Sequence, residues 1–158
     1  MAALVIATTK SWNIEHYEEL KAKDAAHQWF LIEKKENLTP ERLRQHNPRY
    51  VFFPHWSWII PRDVYEHYEC VVFHMTALPY GRGGSPLQNL IVRGHKETKI
   101  SALRVEAGID TGDIYLKRDL SLAGTAEEIL RRAARLIFSE MIPEIVATNP
   151  KTTPQTGE

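Results

Sequence analysis

Four short runs of apolar residues predict the strands of a mostly parallel sheet. They lie at 2–7, 29–32, 50–53 and 70–73. Continuous apolar runs, as opposed to alternating ones, are typical of strands that are buried on both faces. Because polar stretches with helix signals separate the runs, we expect helices on both faces of the sheet and an α/β fold.

Helix signals lie between the first three predicted strands. The spacing of Tyr17 and Leu20 predicts a helix over 15–26. Thr39 followed by Pro40 is a typical helix start, since threonine caps the first turn and proline needs no backbone N–H there. The order strand, helix, strand, helix, strand favours parallel strands joined by crossover connections.

The second half of the chain predicts two alternating strands and a capped helix. Segments 98–105 and 114–122 alternate in the manner of half-buried strands, and the charges of the second place it near a sheet edge. Thr125 and Glu128 have the spacing of a capping box. We expect a long helix from this point, which Pro143 ends or kinks.

A histidine follows the fourth predicted strand, and an aspartate lies in a later tight loop. These residues are His74 and Asp110. The glycines within 81–84 let the backbone approach a ligand, and Ser85 with Pro86 predicts a helix start. Because ligands bind beyond the carboxyl ends of parallel strands, we expect the imidazole and the carboxylate at one rim of the sheet.

The composition is that of a globular domain without net charge. The chain has 158 residues, with 20 Lys and Arg against 20 Asp and Glu. A chain of this length usually makes one domain, which we expect to cover 1–148. Polynucleotide binding depends on neutralising phosphates, so zero net charge gives no support for a nucleic-acid partner. Segment 149–158, rich in proline and threonine, is predicted to be a disordered tail.

The sequence also bears on the compartment of the protein. No apolar run approaches the roughly 20 residues that span a bilayer, and no signal peptide precedes the first run. A cytoplasmic protein without a membrane partner is therefore expected. Cys70 is the single cysteine and lies in an apolar run, so a structural buried thiol is favoured over a catalytic one. No metal site is expected, and a homo-oligomer remains open.

Several residues allow both a functional and a structural interpretation. Trp56 and Trp58 follow the third apolar run and suit either the wall of a flat ligand or the packing of an irregular segment. The same two interpretations apply to His55 and Trp12. The arginines of the last helix fit a solvated face better than a phosphate site. No glycine-rich turn follows the first strand, so a dinucleotide site is not indicated.

Two motifs resemble a known family. Residues 74–83, His-Met-Thr-Ala-Leu-Pro-Tyr-Gly-Arg-Gly, and 109–113, Ile-Asp-Thr-Gly-Asp, resemble the core of the folate-dependent formyltransferases. That family includes methionyl-tRNA, glycinamide ribonucleotide and sugar N-formyltransferases. The sequence Arg-Gly-Gly-Ser-Pro-Leu-Gln at 82–88 looks closest to that of short formyltransferase-like proteins of bacterial nonulosonic, pseudaminic-type sugar synthesis. The resemblance implies a Rossmann-like formyltransferase fold with a shortened amino-terminal half.

The resemblance further implies an N-formyltransferase that uses 10-formyltetrahydrofolate. His74 would stabilise the oxyanion or relay a proton, and Asp110 would orient His74 and accept the proton through a water. The residues implied for the pterin site are Trp56, Ser57, Ile59, Ile60, Glu106, Gly108 and Ile109. The residues implied to face the amine substrate are Thr76, Tyr80, Arg82 and Gln88.

One position departs from the family pattern. The family has an asparagine two residues before the histidine, and that position is Val72 here. Loss of one oxyanion donor typically costs about 10²–10³ in rate. His55, or a backbone N–H of the 83–84 turn, is a hypothetical replacement. A catalytically inactive folate- or sugar-binding homologue and a formyltetrahydrofolate hydrolase therefore stay open as alternatives.

The expected acceptor is the amine of a small, nucleotide-linked amino sugar. No further domain is expected after the core, and the neutral charge disfavours tRNA. No glycine-rich first loop is present to hold the phosphate of a glycinamide ribonucleotide. This choice of acceptor depends on elimination and on analogy with the family.

Overall fold

The computed structural model describes residues 2–75, 94, 96–108 and 110–155, and the chain forms two compact units, Met1–Val72 and Phe73–Glu158. The described strands are β1 Ala3–Thr8, β2 Gln28–Ile32, β3 Tyr50–His55, β4 Cys70–His74, β5 Glu97–Arg104 and β6 Ile114–Ser121. The described helices are α1 Ser11–Lys23, α2 Pro40–His46, α3 Arg62–Tyr65, α4 Ala126–Leu136 and α5 Ile142–Thr148. A 3₁₀ turn covers Lys35–Asn37, and a wide π turn covers Ile137–Met141.

Parallel strands form the sheet of the first unit, in the order β2-β1-β3-β4. Every residue of β1 is buried. Val5 lies opposite Phe30 on one side and Val51 on the other. The first apolar run is therefore a central parallel strand, as predicted, and burial on both faces explains why it does not alternate.

Among the α-helices described in the first unit, only α2 begins with a capping side chain. Thr39 accepts a hydrogen bond from the backbone N–H of Arg42 at the start of α2, which confirms that predicted start. Helix α1 begins at Ser11 instead of residue 15. Its N-cap, Lys10, makes no side-chain capping bond, so no local signal marks that start.

The second unit contains an antiparallel strand pair and a capped helix. Ile100 of β5 lies opposite Arg118 of β6. Thr125 and Glu128 form the predicted capping box at the start of α4. The buried side chains of this unit include Ile129 and Met141, which are 1% and 0% exposed.

The predicted interruption before Pro143 takes the form of a wide turn. Helix α4 widens into the π turn Ile137–Met141, and α5 then begins with Pro143 in its first turn. Proline has no backbone N–H to donate to the preceding turn, so a change of helical geometry at this point is expected.

Among the described strands of the second unit, β6 pairs with β5 alone, which makes β6 an edge strand. This confirms the edge position predicted from its charges. Only the pairing of β5 with β6 is antiparallel among the pairings described for these strands. The mostly parallel sheet with helices confirms the α/β fold class.

The segment expected to be a disordered tail makes defined contacts over its described part. Thr153 and Ile114 form an antiparallel bridge, with each backbone N–H donating to the other residue's carbonyl at 2.8 Å. Backbone pairing with an edge strand depends little on side-chain composition, so a segment rich in proline and threonine can take part in it.

Two further expectations concern burial and membranes. Cys70 is fully buried in β4, as expected of a structural thiol. Among the residues that the structure describes, no helix is both long enough and apolar enough to cross a membrane.

Candidate functional site

His74 and Asp110 lie next to each other in the second unit. His74 is the last residue of β4, and Asp110 lies in the loop between β5 and β6. Nδ1 of His74 is 3.5 Å from Oδ2 of Asp110, and the side chains are 10% and 20% exposed. Because both side chains are mostly shielded from solvent, an ion pair between them would be stronger than one at the surface. The expected meeting of imidazole and carboxylate is thus observed.

The loop that carries Asp110 has a constrained backbone. Asp110 has a φ of 54°, which is in the left-handed region that residues other than glycine rarely adopt. The backbone N–H of Arg104 donates to the carbonyl of Asp113 at 2.8 Å and closes the loop. Gly112 packs so closely on the backbone carbonyl of Arg104 that it has no room for a Cβ. An unusual backbone at a candidate catalytic residue is typical of functional sites.

Gln155 contacts the same loop and was missed by sequence reasoning. Its side-chain amide donates to the carbonyls of Asp110 at 2.8 Å and Gly112 at 2.9 Å. The hydroxyl of Thr152 donates to the carboxylate of Asp113 at 3.1 Å. These partners are about 40 residues apart in sequence, so no local pattern could have revealed them.

The loop after β3, in the first unit, presents an aromatic surface. The rings of Trp56 and Trp58 pack edge to face, with their centroids 5.3 Å apart. The ring of Phe53 packs on Trp56 in the same way, with a centroid distance of 5.7 Å. Trp58 is 40% exposed and Ile59 is 93% exposed. Nε1 of Trp56 is buried, with no hydrogen-bond partner in the part of the chain that the structure describes. A buried donor left unpaired is unfavourable and therefore marks this loop as a candidate ligand contact.

Polar groups also gather at the carboxyl ends of β1 and β3. The hydroxyl of Thr8 donates to the carbonyl of His55 at 3.3 Å and accepts from the amide of Asn13 at 3.1 Å. The rings of Trp12 and His55 lie 6.3 Å apart. Burial, and then the charge of Lys10, lower the pKa of His55 below its usual 6.5. His55 is thus held in a setting that disfavours its charged form.

The other residues implied by the resemblance fall into two groups. Ser57, Glu106 and Gly108 are exposed, and Ile60 is half-buried. The second group comprises Thr76, Tyr80, Arg82, Gln88 and Ile109, which lie outside the described residues, as does the predicted helix start at Ser85.

Val72 occupies the position where the resemblance implies an asparagine. Val72 and His74 are two residues apart in β4, so their side chains point to the same face of the strand. Val72 pairs with Phe53 of β3 and is half-buried. A valine side chain has no hydrogen-bond donor to offer at this place.

Comparison with known proteins assigns the family. The sequence model of the family described as "Formyl transferase" matches residues 4–145. The chain belongs to this family of one-carbon transferases. The solved structure of a methionyl-tRNA formyltransferase from Clostridium thermocellum is 55% identical, with a TM-score of 0.98 over 100% of this chain and 70% of that one. The resemblance stated from the two motifs is confirmed at this level.

Other relatives of this formyltransferase-family chain match less of their own length or at lower identity. The methionyl-tRNA formyltransferase of Rickettsia prowazekii (strain Madrid E) is 36% identical over 85 residues, which are 51% of this chain but 28% of the relative. The formyltransferase PseJ from Anoxybacillus kamchatkensis, in complex with UDP-4,6-dideoxy-4-formamido-L-AltNAc and tetrahydrofolate, is 17% identical. Its TM-score of 0.71, over 100% of this chain and 83% of that one, shows a shared fold.

Proposed function

We propose that this chain transfers the formyl group of 10-formyltetrahydrofolate to a primary amine. The observation that carries the proposal is the His74–Asp110 pair, with Nδ1 and Oδ2 at 3.5 Å and both side chains mostly buried. A carboxylate at Nδ1 fixes the orientation and tautomer of an imidazole. This is the arrangement that proton transfer at an attacking amine requires.

The proposed reaction has two bond changes. The amine nitrogen attacks the formyl carbon, and the carbonyl electrons move to the formyl oxygen. Nε2 of His74 stabilises that oxyanion or takes the proton from the amine, and Asp110 accepts the proton through a water. The oxyanion then collapses, the bond from carbon to N10 breaks, and N10 takes up a proton. The products are a formamide and tetrahydrofolate.

The loop 56–60 is proposed to contact the pterin of the co-substrate. The buried Nε1 of Trp56 is a donor that a pterin oxygen or nitrogen would satisfy. Trp58, 40% exposed, offers an aromatic face for a flat heterocycle. The exposed Ile59 adds apolar area beside it. The proposal assigns Ser57, Ile60, Glu106, Gly108 and Ile109 to the same ligand.

The proposed acceptor is a nucleotide-linked amino sugar. PseJ, which shares the fold, is named as a complex with a formamido sugar nucleotide and tetrahydrofolate, and that is the product pair the reaction requires. The sequence has equal numbers of basic and acidic residues, so it offers no general attraction to a polynucleotide. Thr76, Tyr80, Arg82 and Gln88 are proposed to contact this substrate.

Methionyl-tRNA is the second candidate acceptor. One observation favours it, the 55% identity to a protein named as a methionyl-tRNA formyltransferase. The chemistry at His74 would be the same, because in both cases a primary amine attacks the formyl carbon. The two acceptors therefore differ in what must be recognised beyond the amine and can be separated by direct competition.

Two further alternatives stay open, and Val72 favours the first of them. An apolar side chain at the usual position of the oxyanion donor favours a homologue that binds folate without turnover. A hydrolase, in which water replaces the amine, would use the same histidine and aspartate. The first alternative yields no product, and the second yields formate in the absence of any amine.

The test is an acceptor panel with 10-formyltetrahydrofolate. Purified protein is incubated with a UDP-linked 4-amino sugar, with methionyl-tRNA, or with no acceptor, and products are identified by mass spectrometry. Formylation of the sugar supports the proposal. Formylation of the tRNA alone replaces it with the second candidate. Formate from the reaction without an acceptor identifies a hydrolase, and no product from any reaction by protein that binds folate supports the homologue without turnover.

A further inference from the structure

Segment 152–155 runs along the loop that presents Asp110, within the second unit. Thr153 exchanges two backbone hydrogen bonds of 2.8 Å with Ile114, the first residue of β6. Thr152 bonds to the carboxylate of Asp113. Gln155 reaches past these residues to the carbonyls of Asp110 and Gly112. One short segment therefore contacts the loop at several points.

The two bonds from Gln155 act on the backbone of the candidate catalytic residue. A primary amide has two N–H groups, and Nε2 of Gln155 donates to two carbonyls, at 2.8 and 2.9 Å. Holding the carbonyl of Asp110 fixes the rotation about the bond between its Cα and its carbonyl carbon. That rotation, together with the φ of 54°, decides where the Asp110 side chain points.

The left-handed backbone of Asp110 needs such support. A residue with a Cβ adopts this conformation at a steric cost, although aspartate tolerates it better than most other residues do. It persists where neighbouring groups hold it. A relaxed backbone would move the carboxylate of Asp110. Its Oδ2 lies 3.5 Å from Nδ1 of His74, so a small displacement would break this interaction.

We propose that Gln155 is a positioning residue, which holds Asp110 against His74 through its bonds to the carbonyls of Asp110 and Gly112. Its catalytic consequence rests on the proposed function. Gln155 acts through Asp110 and does not itself meet a reacting group.

The test compares two replacements that keep the size of the side chain. Gln155→Met has similar length and no N–H, and Gln155→Glu has the same shape but a carboxylate that repels both carbonyls. Misplacement of a catalytic group by about 1 Å can cost on the order of 10²-fold in rate. We expect kcat to fall by about tenfold or more in both variants, while KM for folate and amine stays within about twofold.

Thr152→Val is the matched control. It removes the hydroxyl that bonds to Asp113 but leaves both bonds of Gln155. We expect its kcat to stay within about twofold of the wild type. An equal fall in Thr152→Val and Gln155→Met would show general loosening of the segment and overturn the proposal, as would an unchanged kcat in a folded Gln155→Met or Gln155→Glu.

A second measurement separates this inference from the proposed function. Amide hydrogen exchange of the peptide covering 105–113 should be faster in Gln155→Met and Gln155→Glu than in the wild type and in Thr152→Val. Unchanged exchange in both Gln155 variants overturns the positioning role even if the wild type is active. If the wild type forms no formamide, the proposed function fails, whereas the exchange rates still decide whether Gln155 holds the loop.

Discussion

Gly112 packs directly against the backbone of Arg104. A Cβ added at Gly112 would lie 1.8 Å from the carbonyl oxygen of Arg104, well inside any possible contact distance. The same strand end supplies the N–H that bonds to the carbonyl of Asp113. The loop that carries Asp110 thus closes only because residue 112 has no side chain.

Gly112→Ala should therefore displace the loop and, with it, Asp110. We expect a loss of about 1–3 kcal/mol in the free energy of unfolding, as is usual for overpacking, and a fall in kcat of about 10²-fold from misplacement. Gly94→Ala is the control, since its added Cβ meets no atom of the described residues within 4 Å and tests the positive φ of 79°. Wild-type activity in Gly112→Ala would contradict the described loop.

Tyr17 should make stability depend on alkaline pH. Burial, and then the carboxylate of Glu18, raise its pKa from 10.0 to about 12. Its hydroxyl donates to the carbonyl of Trp29 at 3.0 Å, and this bond requires the protonated form. Because the folded pKa lies above the unfolded one, this stabilisation is complete below pH 10 and is lost as pH rises toward 12.

Urea unfolding of the wild type and Tyr17→Phe checks this dependence. At pH 7 the wild type should be more stable by about 1 kcal/mol, the usual worth of one hydrogen bond. Between pH 10 and 12 that advantage should shrink. Tyr65→Phe, at a half-buried tyrosine of α3, controls for the loss of a hydroxyl elsewhere. A difference that stays constant across this range would refute the prediction.

Asp24 should make stability depend on acidic pH in the opposite direction. Burial alone would raise its pKa, but hydrogen bonds from Trp29, His27 and the backbone of Ala26 outweigh it and lower the pKa below 3.8. A lowered folded pKa stabilises the protein above pH 3.8, and that contribution is lost as pH falls through the folded value.

Asp24→Asn should cost about 1–2 kcal/mol at pH 7, since an amide replaces a charged acceptor of several hydrogen bonds. The difference from the wild type should narrow below pH 3.8, where the wild-type carboxyl also becomes neutral. Chemical unfolding followed by tryptophan fluorescence measures both values, with Asp63→Asn as the control. An equal difference at pH 7 and at low pH would count against the prediction.

Trp56 should recognise folate through its indole N–H as well as its ring. Nε1 of Trp56 is buried without a partner among the described residues. Trp56→Phe keeps an aromatic ring and removes that donor, so the Kd for 5-formyltetrahydrofolate should rise by about tenfold, equivalent to one hydrogen bond. Trp56→Ala should also abolish ligand-induced quenching of tryptophan fluorescence. Unchanged affinity in both variants would remove Trp56 from the ligand site.

The elements that sequence reasoning predicted depend on short-range signals. The burial of β1 on both faces is visible as one continuous apolar run, and Thr125 with Glu128 specifies a helix start within four residues. His74 could be placed because it follows such a run directly. Each of these features is set by neighbours along the chain, and so pattern and capping rules apply to them.

What sequence reasoning missed depends on contacts between distant residues or on ends without caps. Gln155 bonds to residues more than 40 positions earlier, and no composition rule connects a segment rich in proline and threonine with the loop that carries Asp110. The left-handed backbone of Asp110 is likewise a property of the closed loop. The start of α1 has no capping side chain to reveal it.

The most direct measurement is amine-dependent formation of tetrahydrofolate from 10-formyltetrahydrofolate by the wild type, His74→Gln and Asp110→Asn. The wild type should form formamide and tetrahydrofolate in equal amounts. His74→Gln should lower kcat by about 10²–10⁴-fold, the usual contribution of a general acid or base, whereas His67→Gln, at an exposed histidine of the first unit, should match the wild type. A folded wild type that binds folate but forms no formamide with either proposed acceptor, or a fully active His74→Gln, would contradict the proposed catalytic role of the His74–Asp110 pair.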